Sequence, residues 1–454
     1  MRARVGAGLI ALGLGGACGD GLPPAADGAA PSPLVTVVDA WATPRRELDL
    51  LFVVGVSPAS DEPQFALAVA LPRLVQSLAT APGGLPDLHV GVVSTDVGTG
   101  SVAIGSCPAV AADGELQTSG CAGLGAPYLA DLARPDGRRD RNYTGTLADR
   151  LGCMVRLGSG NCGFEQPLEA MRRALTPGRN PGFRRPGAAL GVVIVSHRDD
   201  CSAVPGGALF SEPTAGLDSV LGPLTGFRCF EWGVRCADDV APRALGPRHG
   251  CLPREGSPLV TGVAPYVAFL REQVAEPRDL VVATIAGSVD EARSAEVVPD
   301  LDAPAWPYLA PSCGWLGGVA WPALRLRGLV DGFPGRGLAL SLCADSAEPA
   351  VARIGARVQA ALGQHCLAAA PVDLDPATPG LQPRCEVTEA TERHGVPSEP
   401  RPLASCAEAG PPCWRLVDNP AHCPDTPGQL ALAIDRVAPA PADAVVAARC
   451  QVDP

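Results

Sequence analysis

Seventeen cysteines in 454 residues constrain this chain more than any other feature. A reducing compartment keeps thiols free and seldom holds so many, whereas an oxidising one lets them pair. Zinc knuckles use close Cys-x₂-Cys pairs; the closest pairs here, Cys229/Cys236 and Cys406/Cys413, have six residues between them. Disulfides are therefore expected rather than thiolate metal sites. Short loops would join Cys107 to Cys121, Cys153 to Cys162 and Cys406 to Cys413, with the connectivity left open by sequence. The hydrophobic fraction of 46% suffices for a large core, but aromatics make up only 4%, so that core rests on Val, Leu and Ala. Lysine is absent and the net charge is −12, which excludes a nucleic-acid binder, since that work needs a concentrated basic surface. Global disorder is excluded as well, because charged residues are only 19% of the chain.

The first residues agree with export. Met1-Arg2-Ala3-Arg4 is a basic n-region, and Val5 to Leu14 an apolar stretch too short for a permanent membrane span. Gly15-Gly16-Ala17 before Cys18 resembles the end of a bacterial lipoprotein signal peptide, in which the cysteine is acylated and becomes the mature N-terminus. Gly15 stands where that motif has its leucine, and Leu14 lies one residue further back. The alternative is cleavage after Ala17 and plain secretion. Acylating Cys18 leaves sixteen cysteines for pairing. The expectation is a signal peptide over 1–18, a flexible tether over 19–46 and an exported protein. Its place is then the cell envelope, as an outer-membrane or cell-surface lipoprotein touching the membrane only through its lipid anchor.

From residue 47 the pattern is α/β. Leu48 to Val54, Leu88 to Val93, Ala188 to Val195 and Asp279 to Ala286 are apolar runs of strand length. Helical spacing occurs over Gln64–Leu78 (interrupted by Pro72, which should bend it), Leu168–Leu175, Tyr266–Val274 and 346–362. Strands apolar on both faces and alternating with helices imply a mostly parallel sheet covered on both sides. Residues 201–262 read as a cysteine-rich insertion within a domain over 47–365. Residues 366–454, with many prolines and weak strand signals at Gln429–Ile434 and Ala444–Ala447, read as a small disulfide-rich module, mostly β and loop.

The run Phe52-Val53-Val54-Gly55-Val56-Ser57-Pro58-Ala59-Ser60-Asp61 follows the first apolar strand, where parallel sheets bind ligands. With His89 to Asp96, Gly163 to Leu168 and Val193 to Ser202, it resembles a cysteine-rich branch of exported von Willebrand factor type A (vWA) domain proteins. The resemblance covers about 47–365 and implies a doubly wound, mainly parallel sheet between helices. It also implies a metal-ion-dependent adhesion site that is degenerate here. The family's first aspartate falls on Gly55, its first serine on Ser57, its second serine on Ala59, and its later aspartate on His197. Mg²⁺ and Ca²⁺ need hard oxygen ligands, and imidazole suits softer metals. No cofactor is expected. The alternative is a displaced Mg or Ca site drawing on Ser57, Asp61, Asp96, Asp199 and Asp200. The bland reading is that those acids cap helices and solvate the loop rim.

No Gly-x-Ser-x-Gly elbow, His-Glu-x-x-His helix or phosphate-binding Gly-x₄-Gly-Lys loop occurs. The expected function is therefore non-enzymatic binding of a protein or surface polymer at the cell envelope, with no nucleic-acid partner. Two rivals stand beside it: a vWA adhesion protein with a displaced cation, and an exported hydrolase using Ser57 and His197.

Overall fold

The computed structural model describes residues 33–452, apart from the single positions 82, 101, 103, 106, 161, 316 and 425. The expected signal peptide, Cys18 and the tether up to residue 32 lie outside the described residues. Two large sheets dominate. Their strands, in chain order, are β1 (Val35–Trp41), β2 (Glu47–Val54), β3 (Asp87–Ser94), β4 (Leu129–Ala133), β5 (Arg139–Arg141), β6 (Ala189–Ser196), β7 (Leu280–Ala286), β8 (Gly337–Ser341), β9 (Cys385–Arg393), β10 (Arg401–Ser405), β11 (Cys413–Asp418), β12 (Leu430–Asp435) and β13 (Ala444–Cys450). The α-helices are α1 (Asp61–Ala79), α2 (Leu147–Met154), α3 (Pro167–Leu175), α4 (Phe227–Gly233), α5 (Ala264–Glu272), α6 (Leu324–Asp331) and α7 (Glu348–Ala361).

The main sheet runs β8-β7-β6-β2-β3-β4-β5, parallel from β8 to β3 and antiparallel beyond. Alternation along each strand divides the core in two. Leu48, Leu50, Phe52 and Val54 of β2 pack with α1, α2 and α7, while Leu51 and Val53 pack with α3, α5 and α6. Both faces are thus buried, which is why these strands are continuous apolar runs. Helix α1 continues through Pro72, whose ring sits on the exposed side of the helix. The 201–262 segment carries α4 and two disulfides, Cys201–Cys229 and Cys236–Cys251.

Two sequence expectations are corrected here. Residues 35–46 are no tether: β1 pairs with β13, and Trp41 is buried with its indole N–H donating 2.9 Å to Asp279 beside β7. A strand whose partner lies some 400 positions later leaves no local signature. The second correction concerns connectivity. Cys107 bonds Cys162 and Cys121 bonds Cys153, exchanging the short-loop partners. The reason is that the 119–121 turn folds back on the end of α2, where the Ser119 hydroxyl donates to the Met154 carbonyl at 2.8 Å. Cys406 is bonded to Cys413.

The second sheet runs β1-β13-β9-β10-β11-β12 and is antiparallel except at β10·β11. The segment His365–Ala368 bridges its two edges. Leu367 N–H donates to Leu430 and Leu432 N–H to His365, while Ala368 N–H donates to Val37. Unpaired edges are covered in this way. The sixteen cysteines after Cys18 form eight disulfides, an arrangement that fits an extracytoplasmic protein. Among the described residues no helix is long and apolar enough to cross a membrane.

Candidate functional site

Three loops meet at the carboxyl ends of β2, β3 and β6. Gly55 closes β2 by donating its N–H to Val195 at 2.8 Å, and Gln64 of α1 holds the turn by donating 2.7 Å to the Gly55 carbonyl. Gly55 has no side chain, and its missing side chain has a replacement. A Cβ built there would lie 2.8 Å from Oε1 and 2.9 Å from Oε2 of Glu165. That carboxylate accepts the Ser57 N–H at 2.9 Å and the Ser196 hydroxyl. A buried acid with two donors is satisfied in place.

His197 sits where the vWA resemblance has its later aspartate. Its Nε2 lies 3.3 Å from Ser57 Oγ and its Nδ1 3.5 Å from Ser60 Oγ. Ala59 takes φ +72°, and the hydroxyl that reaches the ring is that of Ser60. Trp315 and Trp321 cover the imidazole, with ring centroids 6.3 and 5.8 Å away. Trp315 belongs to a hairpin, Cys313–Trp315 with Gly318–Ala320, stapled to the loop after β8 by Cys313–Cys343. Ser57 and His197 are 0% and 1% exposed, so both are closed off from water.

Burial holds the His197 imidazole below its ordinary 6.5, despite the opposing charge of Glu165. The unfolded ring then takes up a proton near pH 6.5 while the folded ring does so only at lower pH. Stability should therefore fall as pH drops below about 6.5. His89 and His365 are lowered by burial too and act in the same direction. His197→Asn should flatten part of the slope in urea titrations between pH 5 and 7, and an unchanged slope would contradict this reading.

The acids singled out in the sequence do not converge. Asp61 accepts from the Ser159 hydroxyl, and Asp96 accepts the Gly98 N–H at 2.9 Å. Asp199 accepts the N–H groups of Arg325 and Leu326 at the start of α6, and burial pushes its carboxyl up to about 6. Asp200 accepts the Leu168 N–H of α3 at 3.1 Å and pairs with Arg325 at 2.9 Å. Two of the acids therefore serve helix N-termini, which carry orphan N–H groups and partial positive charge. Among the described residues, the group with metal-ligand spacing is Cys406, Cys413 and Asp435. Its two sulfurs are joined as a disulfide and offer no thiolate.

These residues do not fit a hard divalent cation. The carboxylate nearest Gly55 is committed to two donors, and an imidazole takes the place of the second acid. Glu165 is the member that sequence reasoning missed; its one signal was an acid within the otherwise uncharged run Gly163 to Leu168. Gly55→Ala should cost about 1–3 kcal/mol, because the new methyl meets the Glu165 carboxylate. Urea unfolding at neutral pH checks this, and an unchanged midpoint would mean the carboxylate swings aside freely.

No family model matches the chain, and no curated protein matches it. Among solved structures, the conserved hypothetical protein BatB from Bacteroides thetaiotaomicron is 8% identical, covering 69% of this chain and 98% of that one, with a TM-score of 0.26. An aerotolerance-related membrane protein from Bacteroides fragilis is 10% identical over 68% of this chain and 98% of its own, at 0.25. The pilus adhesin SpaC from Lactobacillus rhamnosus GG, in its open conformation, is 9% identical over 90% of this chain and 39% of its own, at 0.33. TM-scores this low identify neither a family nor a function.

Proposed function

We propose that this chain is an exported, envelope-held binding protein of vWA type. It engages a protein or surface polymer at the carboxyl edge of its main sheet by direct contacts, without a bridging metal and without turnover. The observation that carries this reading is the closed cluster of Ser57, Ser60, Glu165 and His197. These side chains satisfy one another at the point where vWA adhesion places its cation. A partner is then left with the surrounding rim. One part of that rim is a cleft of about 280 Å³ bordered by Glu62, Trp315, Leu342 and Asp345.

The experiment is cross-linking on intact cells, with and without chelator, followed by identification of the captured partner. Capture should be unaffected by chelator, and calorimetry should show no micromolar Mg²⁺ or Ca²⁺ site. Loss of capture on chelation, restored by either ion, would replace this reading with the displaced-cation one. Release of a Cys18→Ser variant into the medium, with wild type retained, would support lipid anchoring; equal release of both would leave a secreted protein.

The 3.3 Å approach of Ser57 Oγ to His197 Nε2 is the observation that favours the hydrolase rival. Against it, Nδ1 faces the Ser60 hydroxyl rather than an orienting acid, and the pair is buried from any substrate. Turnover in a hydrolase screen that vanishes in Ser57→Ala would establish the rival.

A further inference from the structure

Arg198 directly follows His197, and its guanidinium carbon lies 4.2 Å from the centroid of the Trp321 ring. Among the described residues no carboxylate pairs with it and no acceptor takes its side-chain N–H groups; Nε is buried without a partner. The acids around it are all engaged elsewhere. Glu165 is held by Ser57 and Ser196, Asp199 by α6, and Asp200 by Arg325 and α3. Asp300 accepts the N–H groups of Asp302 and Ala303 at 2.9 and 3.0 Å. Burial pulls the guanidinium below its ordinary pKa, against the opposing charge of Glu165, which borders the same pocket without pairing to it.

The guanidinium borders a pocket of about 110 Å³, room for a few waters or one small anion. Bare backbone keeps its surroundings open. A Cβ on Gly226 would stand 3.4 Å from Nη1, and one on Gly163 would stand 4.0 Å from Nη2. Arginine's fork matches the planar carboxylate, and indole stacking fixes the plane in advance.

We infer that this pocket receives one side-chain carboxylate, from a Glu or Asp on the proposed protein partner. The inference rests on the binding reading above and narrows it to a ligand chemistry. An acidic polysaccharide offers the same group, and the test below separates the two. The indole face on which a sugar ring would stack is already covered by Arg198.

The test uses the full disulfide-bonded chain and two peptides, acetyl-Gly-Ser-Glu-Ser-Gly-amide and its Gln counterpart. The chain has six tryptophans, so the Trp321 indole N–H resonance can be assigned with Trp321→Phe. The Glu peptide should shift that resonance saturably, and the Gln peptide should not. Arg198→Gln should weaken the response at least tenfold. Arg198→Lys, which keeps the charge but loses the fork, should weaken it several-fold while preserving the Glu-over-Gln preference; it also serves if the Gln variant fails to fold. Equal shifts by both peptides, or a response unchanged in both variants, would overturn the inference. So would an oligogalacturonate that binds tenfold more tightly than the peptide through Arg198. If wild type and Arg198→Gln capture the same partner equally on cells, the carboxylate inference fails and the binding reading stands. If wild type captures nothing, the binding reading fails whatever the peptides do.

Discussion

Reducing the disulfides is expected to unfold the second sheet under conditions in which the oxidised protein stays folded. Cys385–Cys450 and Cys366–Cys423 close loops of 65 and 57 residues. By chain entropy each is worth roughly 4 kcal/mol, with about 2–4 kcal/mol the usual measured range. The sheet has little else to offset that loss. Its core is drawn from small aliphatics such as Val37, Val387, Leu403 and Val446, with Trp414 as its large member. Small cores of this kind depend on staples. The main sheet, with two apolar layers and six helices packed on it, should outlast it. Hydrogen exchange after mild reduction and alkylation would check the order: amides of β9 and β13 should lose protection before those of β2 and β6. The double variant Cys385→Ala/Cys450→Ala should lose about 2–4 kcal/mol in urea. Equal protection before and after reduction would show that packing alone suffices.

Arg325→Met should destabilise the protein by about 3–5 kcal/mol, since removing one partner of a buried ion pair strands the other charge. Arg325 and Asp200 are 1% and 0% exposed, with Nη2 and Nε at 2.9 and 3.1 Å from the same carboxylate oxygen. The guanidinium also donates to the carbonyls of Gly233 and Thr261, so α4 and the 201–262 segment hang on it. Asp200, in turn, serves the first turn of α3. In the double variant Asp200→Asn/Arg325→Met the stranded charge is gone, while Asn can still accept the Leu168 N–H. That variant should recover a substantial part of the loss. Equal instability of the single and double variants would assign the cost to the backbone carbonyls instead of the carboxylate.

Much of the main sheet is legible in sequence. β2, β6 and β7 are each buried on both faces, so they read as mainly apolar runs without knowledge of their neighbours, with Asp49 of β2 the charged exception, held by Arg184 and Arg185. The long helices α1 and α7 show their spacing for the same reason, since one face of each must meet that sheet. Edge strand β8 escapes notice because its five residues are only alternately buried, and α6 is missed because it is short and has three charged residues among its eight. The second sheet is read only in part. Most of its strands are only partly buried, so their alternation is blurred, and β1 finds its partner at the opposite end of the chain.

The candidate site divides in the same way. That Gly55, Ala59 and His197 cannot supply the oxygen ligands the vWA resemblance implies is plain from the residues alone, because ligand chemistry belongs to the side-chain type. The Glu165 carboxylate beside Gly55 is not, because it comes from another loop and enters the space of an absent Cβ. So sequence by itself determined the periodicities, the buried strands and the count of pairing cysteines, all of which are local or compositional. Tertiary structure alone decided how the cysteines other than Cys406 and Cys413 pair, that residues 35–41 complete the second sheet, and that Glu165 and His197 close the site while Arg198, stacked on Trp321, has no carboxylate partner among the described residues. Those outcomes are set by distances between residues far apart in the chain, and no pattern within one segment encodes them.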